Sequence, residues 1–180
     1  MRAAKTGELL TLSFSFFESR LLQGAIREVV VNYKAKPEDL APKAASAWYS
    51  TRGCKGAKMS AEESKEWVET LHQYKSANVE QLTRWSRALD LPKAGERQIQ
   101  LKLEEAPILM TALNDHRLWL AASHDIGQKE MDMRSPADLA RLPSAQQSAV
   151  YMIEFLAWIL EEILHFLPGK PGDWGNRDAE

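Results

Sequence analysis

The sequence predicts a mainly α fold, a compact helical domain with a small two-stranded β element. Helix starts are marked by capping boxes, in which a serine stands three residues before a glutamate or glutamine. There are three, Ser15 with Glu18, Ser60 with Glu63, and Ser144 with Gln147. Two short runs alternate apolar and polar residues, as half-buried strands do. They are Leu10-Leu12-Phe14 and Ile99-Leu101-Leu103.

The predicted elements follow one another with short connections. One helix runs from Ser15 to about Lys34, and a second runs without a break from Ser60 to about Leu89. A short helical turn follows Ser135-Pro136, and the last helix opens at Ser144 and stops at Pro168-Gly169. Each alternating run follows a Gly-Glu pair, which is compatible with a degenerate internal repeat. Pairing of the two runs is favoured, because an isolated strand leaves its backbone groups unpaired.

Composition is typical of a soluble globular protein. The 180 residues are 44% hydrophobic and 27% charged, with a formal net charge of −2, so no general attraction to nucleic acid or to an anionic membrane is expected. We expect residues 1–167 to form a single helical domain and residues 168–180 a flexible C-terminal tail. A single cysteine, Cys54, fits a reducing compartment, so a cytoplasmic location is predicted.

The last predicted helix approaches the length of a bilayer span. Residues 150–167 nevertheless contain four polar side chains that are costly in hydrocarbon, Glu154, Glu161, Glu162 and His165. The segment is therefore predicted to be a core or interface helix, and no membrane partner is expected. Because its apolar arc is so wide, part of it is a candidate homodimer interface.

A central helix is predicted to start near Glu105, with Pro107 in its first turn. It includes the stretch ALNDHRLWLAASHDIG, residues 112–127. At about 100° per residue, a broad apolar arc forms on one side, with His116 in its middle. Its other members are Ile108, Leu109, Ala112, Leu113, Trp119 and Leu120. A helix this apolar is buried on more than one side, so its polar residues must find partners.

Four consecutive residues are interpreted as a structural polar cluster that fastens this helix to its neighbours, namely Asn114, Asp115, His116 and Arg117. Arg117 is expected to form an ion pair with Glu154 or Glu161. His116 is expected to be hydrogen-bonded in the core, and a role as a base would need a carboxylate from another helix within reach. His124 is explained by a favourable interaction with the helix dipole. No residue is assigned a catalytic role.

A family resemblance appears at these residues. The strand IQLKL, the pattern A-x-x-x-x-x-A-L-N-D-x-R-L and a final helix rich in Trp, Leu and Glu resemble an uncharacterised bacterial family, domain of unknown function twenty-seventeen. The resemblance covers most of the chain and is most specific at residues 112–118. That family has no established activity, but its genes often lie beside one for ClpS, the adaptor of the Clp protease. The resemblance therefore implies a link to regulated proteolysis.

Two pairs match the Glu-x-x-His spacing of helical metal sites, Glu69 with His72 and Glu162 with His165. A site inside a bundle needs ligands that point inward, whereas Glu69 projects away from its apolar arc and His165 belongs to a polar stripe. These pairs are interpreted as solvated faces. No metal and no cofactor is predicted.

The loop from Arg52 to Lys58 admits two further hypotheses. Cys54 stands between two basic residues, which lower the pKa of a thiol, but no histidine partner is visible by motif. Gly53-x-x-Gly56 with its lysines is similar to loops that clamp nucleic-acid backbones, but the surrounding pattern of such domains is missing. A solvated basic loop is favoured.

The favoured function is that of a non-enzymatic interaction or regulatory protein. Its expected partners are a protein, with ClpS or the Clp protease implied by the resemblance, and a second copy bound through the last helix. One alternative is a metal-dependent enzyme with His and Glu ligands. Another is nucleic-acid binding through the loop of residues 52–58, which the charge balance does not favour.

Overall fold

The structure, a computed structural model, describes residues 1–49, 59–90, 97–133 and 135–167. Within these ranges the strands are β1 (Arg2–Thr6), β2 (Leu9–Phe14) and β3 (Arg97–Lys102). The helices are α1 (Phe16–Lys34), α2 (Pro42–Trp48), α3 (Ala61–Ala77), α4 (Val79–Ala88), α5 (Ala106–Ser123), α6 (Gln128–Met131), α7 (Pro136–Leu139) and α8 (Ser144–Leu164). Single turns of 3-10 helix span Pro37–Asp39 and Leu103–Glu105. The mainly α prediction is confirmed.

The two predicted strands pair antiparallel as expected, with Leu10 opposite Leu101 and Leu12 opposite Ile99. The prediction of two strands is wrong, because the described residues form a three-stranded sheet in the order β1-β2-β3. The segment RAAKT has no apolar alternation, since four of its five side chains are exposed. As an edge strand it is held by backbone pairing to β2, across a turn in which Gly7 has a φ of 60°.

Two of the three predicted capping boxes are present. Ser15 accepts from the backbone N–H of Glu18, and Ser60 accepts from that of Glu63. The box at Ser144 is not formed, because the helix begins one residue earlier than this pairing requires and Pro143 takes the cap position. α8 ends at Leu164, before the predicted stop, which lies outside the described residues.

The predicted helix from Ser60 to about Leu89 is divided into α3 and α4. The division falls at Asn78, whose side-chain amide donates to the carbonyl oxygen of Tyr74 at 2.9 Å. Asparagine side chains compete in this way with the backbone hydrogen bonds of a helix, and the helix is interrupted there. The turn after Ser135 is confirmed as α7, capped by the Ser135 side chain.

A main hydrophobic core lies between the sheet and helices α1, α4, α5 and α8. A smaller cluster lies where the end of α5 meets α7 and the start of α8. Its buried members are Leu120, Ile126, Leu139, Ala149, Val150 and Ile153. The long helices α5 and α8 pack against each other and contribute to both. In the described parts of the chain, no helix has the length and apolarity needed to cross a membrane.

Candidate functional site

The four consecutive polar residues of α5 enter three different surroundings. Asp115 and His116 are both buried, with 6% and 2% of their surface exposed, whereas Asn114 is exposed and Arg117 is half-buried. Successive residues of a helix point about 100° apart, so four in a row cannot face one site. The predicted polar cluster is therefore a set of separate contacts.

Asp115 lies at the junction of four helices. Its Oδ2 forms a buried ion pair with Lys75 of α3 and accepts a hydrogen bond from Tyr33 of α1 at 2.5 Å. Its backbone oxygen accepts from the indole N–H of Trp48, the last residue of α2, at 2.6 Å. A buried carboxylate is tolerated only when paired and hydrogen-bonded, and both conditions are met here.

The Lys75 ammonium is also surrounded by aromatic rings. It lies 5.2 Å from the ring centre of Tyr33, 5.8 Å from that of Trp48 and 6.0 Å from that of Tyr49. These distances suit cation–π attraction, which is strongest in a desolvated setting. Burial, aided by the nearby Asp115 charge, raises the pKa of Tyr33 and raises the pKa of Tyr49 to about 12. Both phenols therefore stay neutral, and the arrangement is suited to fastening helices together.

His116 points about 100° away from Asp115, to another side of α5. Its ring stacks on that of Trp119, with centres 5.5 Å apart, and its Nε2 lies 3.8 Å from Oε2 of Glu28 on α1. The buried Nδ1 has no hydrogen-bond partner among the described residues, so the predicted core hydrogen bond is not present there. Burial lowers the pKa of His116 to about 4, and the ring is neutral at pH 7. A carboxylate of another helix is thus near His116, but beyond direct hydrogen-bond distance.

His116 lies in the wall of a groove between α1, α5 and the start of α8, here called the His116 groove. Its volume is about 420 Å³. Small residues line much of it, Gly24, Ala25, Ala145, Ser148 and Ala149. Burial raises the pKa of Glu28, while the nearby His124 acts in the opposite direction. A partly desolvated carboxylate beside a neutral imidazole can bind a ligand or accept a proton.

Asn114 and Arg117 face a second groove, between α5 and α8. Arg117 donates to Oδ1 of Asn114 at 3.5 Å, and its buried Nε has no partner among the described residues. Glu161 lines the same groove, of about 430 Å³. Neither Glu154 nor Glu161 forms an ion pair with Arg117 in the part of the chain that the structure describes. The expected ion pair is thus not formed, although Glu161 shares the groove.

The Glu-x-x-His pairs do not meet. His72 Nε2 lies 3.0 Å from the carbonyl oxygen of Ala35, and Glu69 accepts from Gln73 on its own helix. His165 is exposed beyond the end of α8. Within the described ranges, no group of three or more His, Cys, Asp or Glu side chains is placed to hold a metal ion.

Cys54 and the loop of residues 52–58 lie outside those ranges, so the thiol and nucleic-acid hypotheses stay predictions.

A further surface feature is the solvent-facing side of α8, here called the α8 outer face. Tyr151 and Trp158 are 56% and 37% exposed, and Phe155 lies between them, with its ring centre 6.3 Å from that of Trp158. Spacings of four and three residues place these rings in one row. The exposed Glu154 lies beside the row, and Glu162 follows one turn after Trp158.

Two residues of these sites, Lys75 and Glu28, carry little signal of their role in the sequence. Lys75 stands one helical turn after Leu71, on the apolar side of its helix, and this position was the available signal. Its partner Asp115 is 40 positions away, so no local pattern links them. Glu28 follows Gly24 by one turn on the side of α1 that faces the His116 groove, but nothing in the sequence connects it to His116.

Fold and site together define a mainly α protein with a small antiparallel sheet, in which a central helix distributes buried polar residues among its neighbours. The profile of one family, described as Domain of unknown function (DUF2017), matches residues 60–167. The chain belongs to this family, and the resemblance noted at α5 is confirmed. The matched region includes Lys75, Asp115 and His116, whereas Glu28 and Tyr33 precede it. No curated protein and no solved structure matches the chain.

Proposed function

We propose that this protein is a non-enzymatic interaction or regulatory protein that binds a protein partner through the α8 outer face. The observation that carries the proposal is the pair of exposed rings Tyr151 and Trp158 on the solvent side of α8, with the half-buried Phe155 between them. Aromatic side chains provide large contact areas with few rotatable bonds and are enriched where proteins bind one another.

The charge around this row favours a basic partner. α8 contains Glu154, Glu161 and Glu162 and no lysine or arginine. In a homodimer joined through the α8 outer face, the glutamates of both copies would come together, and like charges in an interface oppose association. A partner segment with apolar residues flanked by Lys or Arg fits better than a second copy, and the homodimer becomes the alternative outcome.

The biological process is proposed from the family resemblance. That resemblance implies gene neighbourhood with the adaptor ClpS, so we propose an accessory role in Clp-type regulated proteolysis. ClpS and the Clp protease are the first partners to test, and a cytoplasmic location would suit such a role.

A comparative pull-down tests the proposal. The full chain, a Tyr151→Ser/Trp158→Ser variant and a matched Val31→Ser variant are each used to capture proteins from an extract of the native cells. Val31 is an exposed apolar residue of another helix, 66% exposed. We expect a specific partner to be recovered by the wild type and by the Val31 variant and lost with the double variant. Equal recovery by all three, or recovery of no specific protein, would contradict the proposal.

The named partners and the homodimer are tested with purified proteins. Binding of ClpS and of the Clp protease to the immobilised full chain is measured with the same three proteins. Light scattering of the wild type measures its mass in solution. A dimer mass that reverts to a monomer mass in the double variant would assign the α8 outer face to self-association instead.

A further inference from the structure

We propose that the His116 groove is a binding site for an alkylammonium group, such as a lysine side chain or a free aliphatic amine. The proposal rests on a groove of about 420 Å³, on a buried imidazole in its wall, and on one carboxylate beside that imidazole. It is independent of the α8 outer face and of the function proposed for it.

His116 and Glu28 are spaced so that one donor can bridge them. The Nε2 of His116 and the Oε2 of Glu28 are 3.8 Å apart, too far for a direct hydrogen bond. A ligand nitrogen placed about 2.9 Å from each of these two atoms can donate a hydrogen bond to both. This requires the imidazole proton to be on Nδ1, so that Nε2 is an acceptor. An ammonium group has three donors and no acceptor, so it suits two adjacent acceptors.

The charge of the groove selects a cation. Among the described residues that line it, Glu28 carries the one carboxylate. Arg20, the positive side chain at its edge, is already engaged, because its Nη1 donates to Asp90 at 2.9 Å and to Gln23 at 3.0 Å. Glu28 is thus a negative charge with 43% of its side chain exposed, accessible to a ligand, and His124 is the titratable side chain that lines the groove beside it. An anionic ligand would be repelled by it.

The walls of the groove fit an aliphatic chain. Gly24 and Ala149 leave space between α1 and α8, and Leu120 and Met152 provide apolar contacts. A Cβ built on Gly24 meets no atom within 4 Å, so the space above this glycine is open. A ligand with a cationic head and a short apolar stem can place its head between Glu28 and His116 and its stem against these residues.

Nuclear magnetic resonance of the histidine side chains measures this binding directly. The full chain at pH 7 is titrated with n-butylammonium, with Nα-acetyl-lysine amide and with butyrate as a charge-reversed probe. We expect saturable shifts of the His116 resonances with the two ammonium compounds, with dissociation constants of the order of millimolar, and none with butyrate. Tighter binding of the lysine derivative would favour a protein lysine as the natural ligand, and tighter binding of butylammonium a free amine.

Three variants make the test specific. Glu28→Gln is expected to weaken ammonium binding at least tenfold, and Gly24→Leu to abolish it by filling the groove. Glu154→Gln, a neutralised glutamate of the α8 outer face, is the matched control and is expected to bind as the wild type does. Circular dichroism verifies that each variant is folded. Undiminished binding by Glu28→Gln, an equal response to butyrate, or no saturable shift with either amine would overturn the proposal. The Trp158→Ser variant should leave this binding unchanged, which separates it from the proposed function.

Discussion

Lys75 brings a positive charge into the interior, where 4% of its surface remains exposed. The cost of removing this charge from water is offset only because Asp115, the Tyr33 hydroxyl and three aromatic rings lie around the ion pair. Such a pair adds little net stability compared with apolar residues of similar shape, but removing one partner leaves the other charge buried and unpaired. Replacing one partner of the pair should therefore cost much more unfolding free energy than replacing both together.

A Lys75→Met variant is expected to lower the free energy of unfolding by about 3–5 kcal/mol, because Asp115 loses its counter-charge. The Lys75→Met/Asp115→Asn double variant should recover much of this loss, since both charges are then absent and the amide can still accept from Tyr33. Urea denaturation measures both. Lys102→Met removes an exposed pair with Glu104 and is the control, expected to change stability by less than about 0.5 kcal/mol. A single variant as stable as the wild type would show that the pair does not fasten these helices.

His116 should make stability depend on pH in the mildly acidic range. Burial lowers its pKa from 6.5 to about 4, so between these values the unfolded chain binds the proton and the folded protein does not. The neutral, buried His116 therefore contributes up to about 3 kcal/mol to the free energy of unfolding. This contribution is fully present above pH 6.5 and is lost as the pH falls towards 4. Glu28 acts in the opposite sense, because its raised pKa lets the folded protein take up a proton first.

Comparison with His116→Gln isolates this effect from that of the carboxylates. We expect the difference in unfolding free energy between pH 7 and pH 4.5 to be smaller in the variant than in the wild type. The measurement is urea denaturation at each pH. If the free energy of unfolding falls equally in both proteins over this pH range, the pKa of His116 does not differ between the folded and unfolded states.

Three serines with the same local pattern have different roles at the starts of their helices. Ser15 and Ser60 cap α1 and α3, whereas Ser144 lies inside α8 and makes no cap bond. Ser15→Ala is expected to cost about 1 kcal/mol, because a backbone donor of α1 loses its partner. Ser144→Ala should stay within about 0.5 kcal/mol of the wild type. Thermal and urea unfolding measure the stability of the two variants. If both lose the same free energy of unfolding, Ser144 also caps a helix and the start of α8 is misplaced.

The same contrast shows which features of the fold were accessible from sequence. Amphipathic periodicity predicted the positions of α1 and α5 and the pairing of β2 with β3, because those elements bury one side in the core. β1 was missed because its side chains face solvent and its pairing uses only the backbone. The break at Asn78 was missed because apolar residues continue on both sides of it.

The sites were less predictable than the elements. The arc that placed His116 in the core was correct, since helical spacing decides which side of α5 is buried. Which residues it meets depends on how α1 packs against α5, and Glu28 carries no local signal of that contact. The expected partner of Arg117 shows the same limitation, since Glu161 lines the correct groove but forms no ion pair there.

The interior of the protein is divided into a main core and a smaller cluster. Trp119 and Met152 pack against both, so α5 and α8 join them. The smaller cluster holds the segment that includes α6 and α7, short helices in which Leu139 is the one buried residue. A segment with few buried contacts opens at a lower free-energy cost than the rest of a protein. We therefore expect α6 and α7 to open without unfolding of the main core.

Native-state hydrogen exchange with two truncations tests this division. Leu156→Ala empties a fully buried position of the main core and should lower the global free energy of unfolding by about 2–5 kcal/mol, so the slowest amides of every element exchange faster. Leu139→Ala, at the edge of the smaller cluster, should speed exchange in α6 and α7 and leave the slowest amides of α1 and β2 unchanged. If Leu139→Ala instead speeds exchange of all amides equally, the two clusters unfold as one unit. The smaller cluster would then stabilise the packing of α5 against α8 and, through it, the main core.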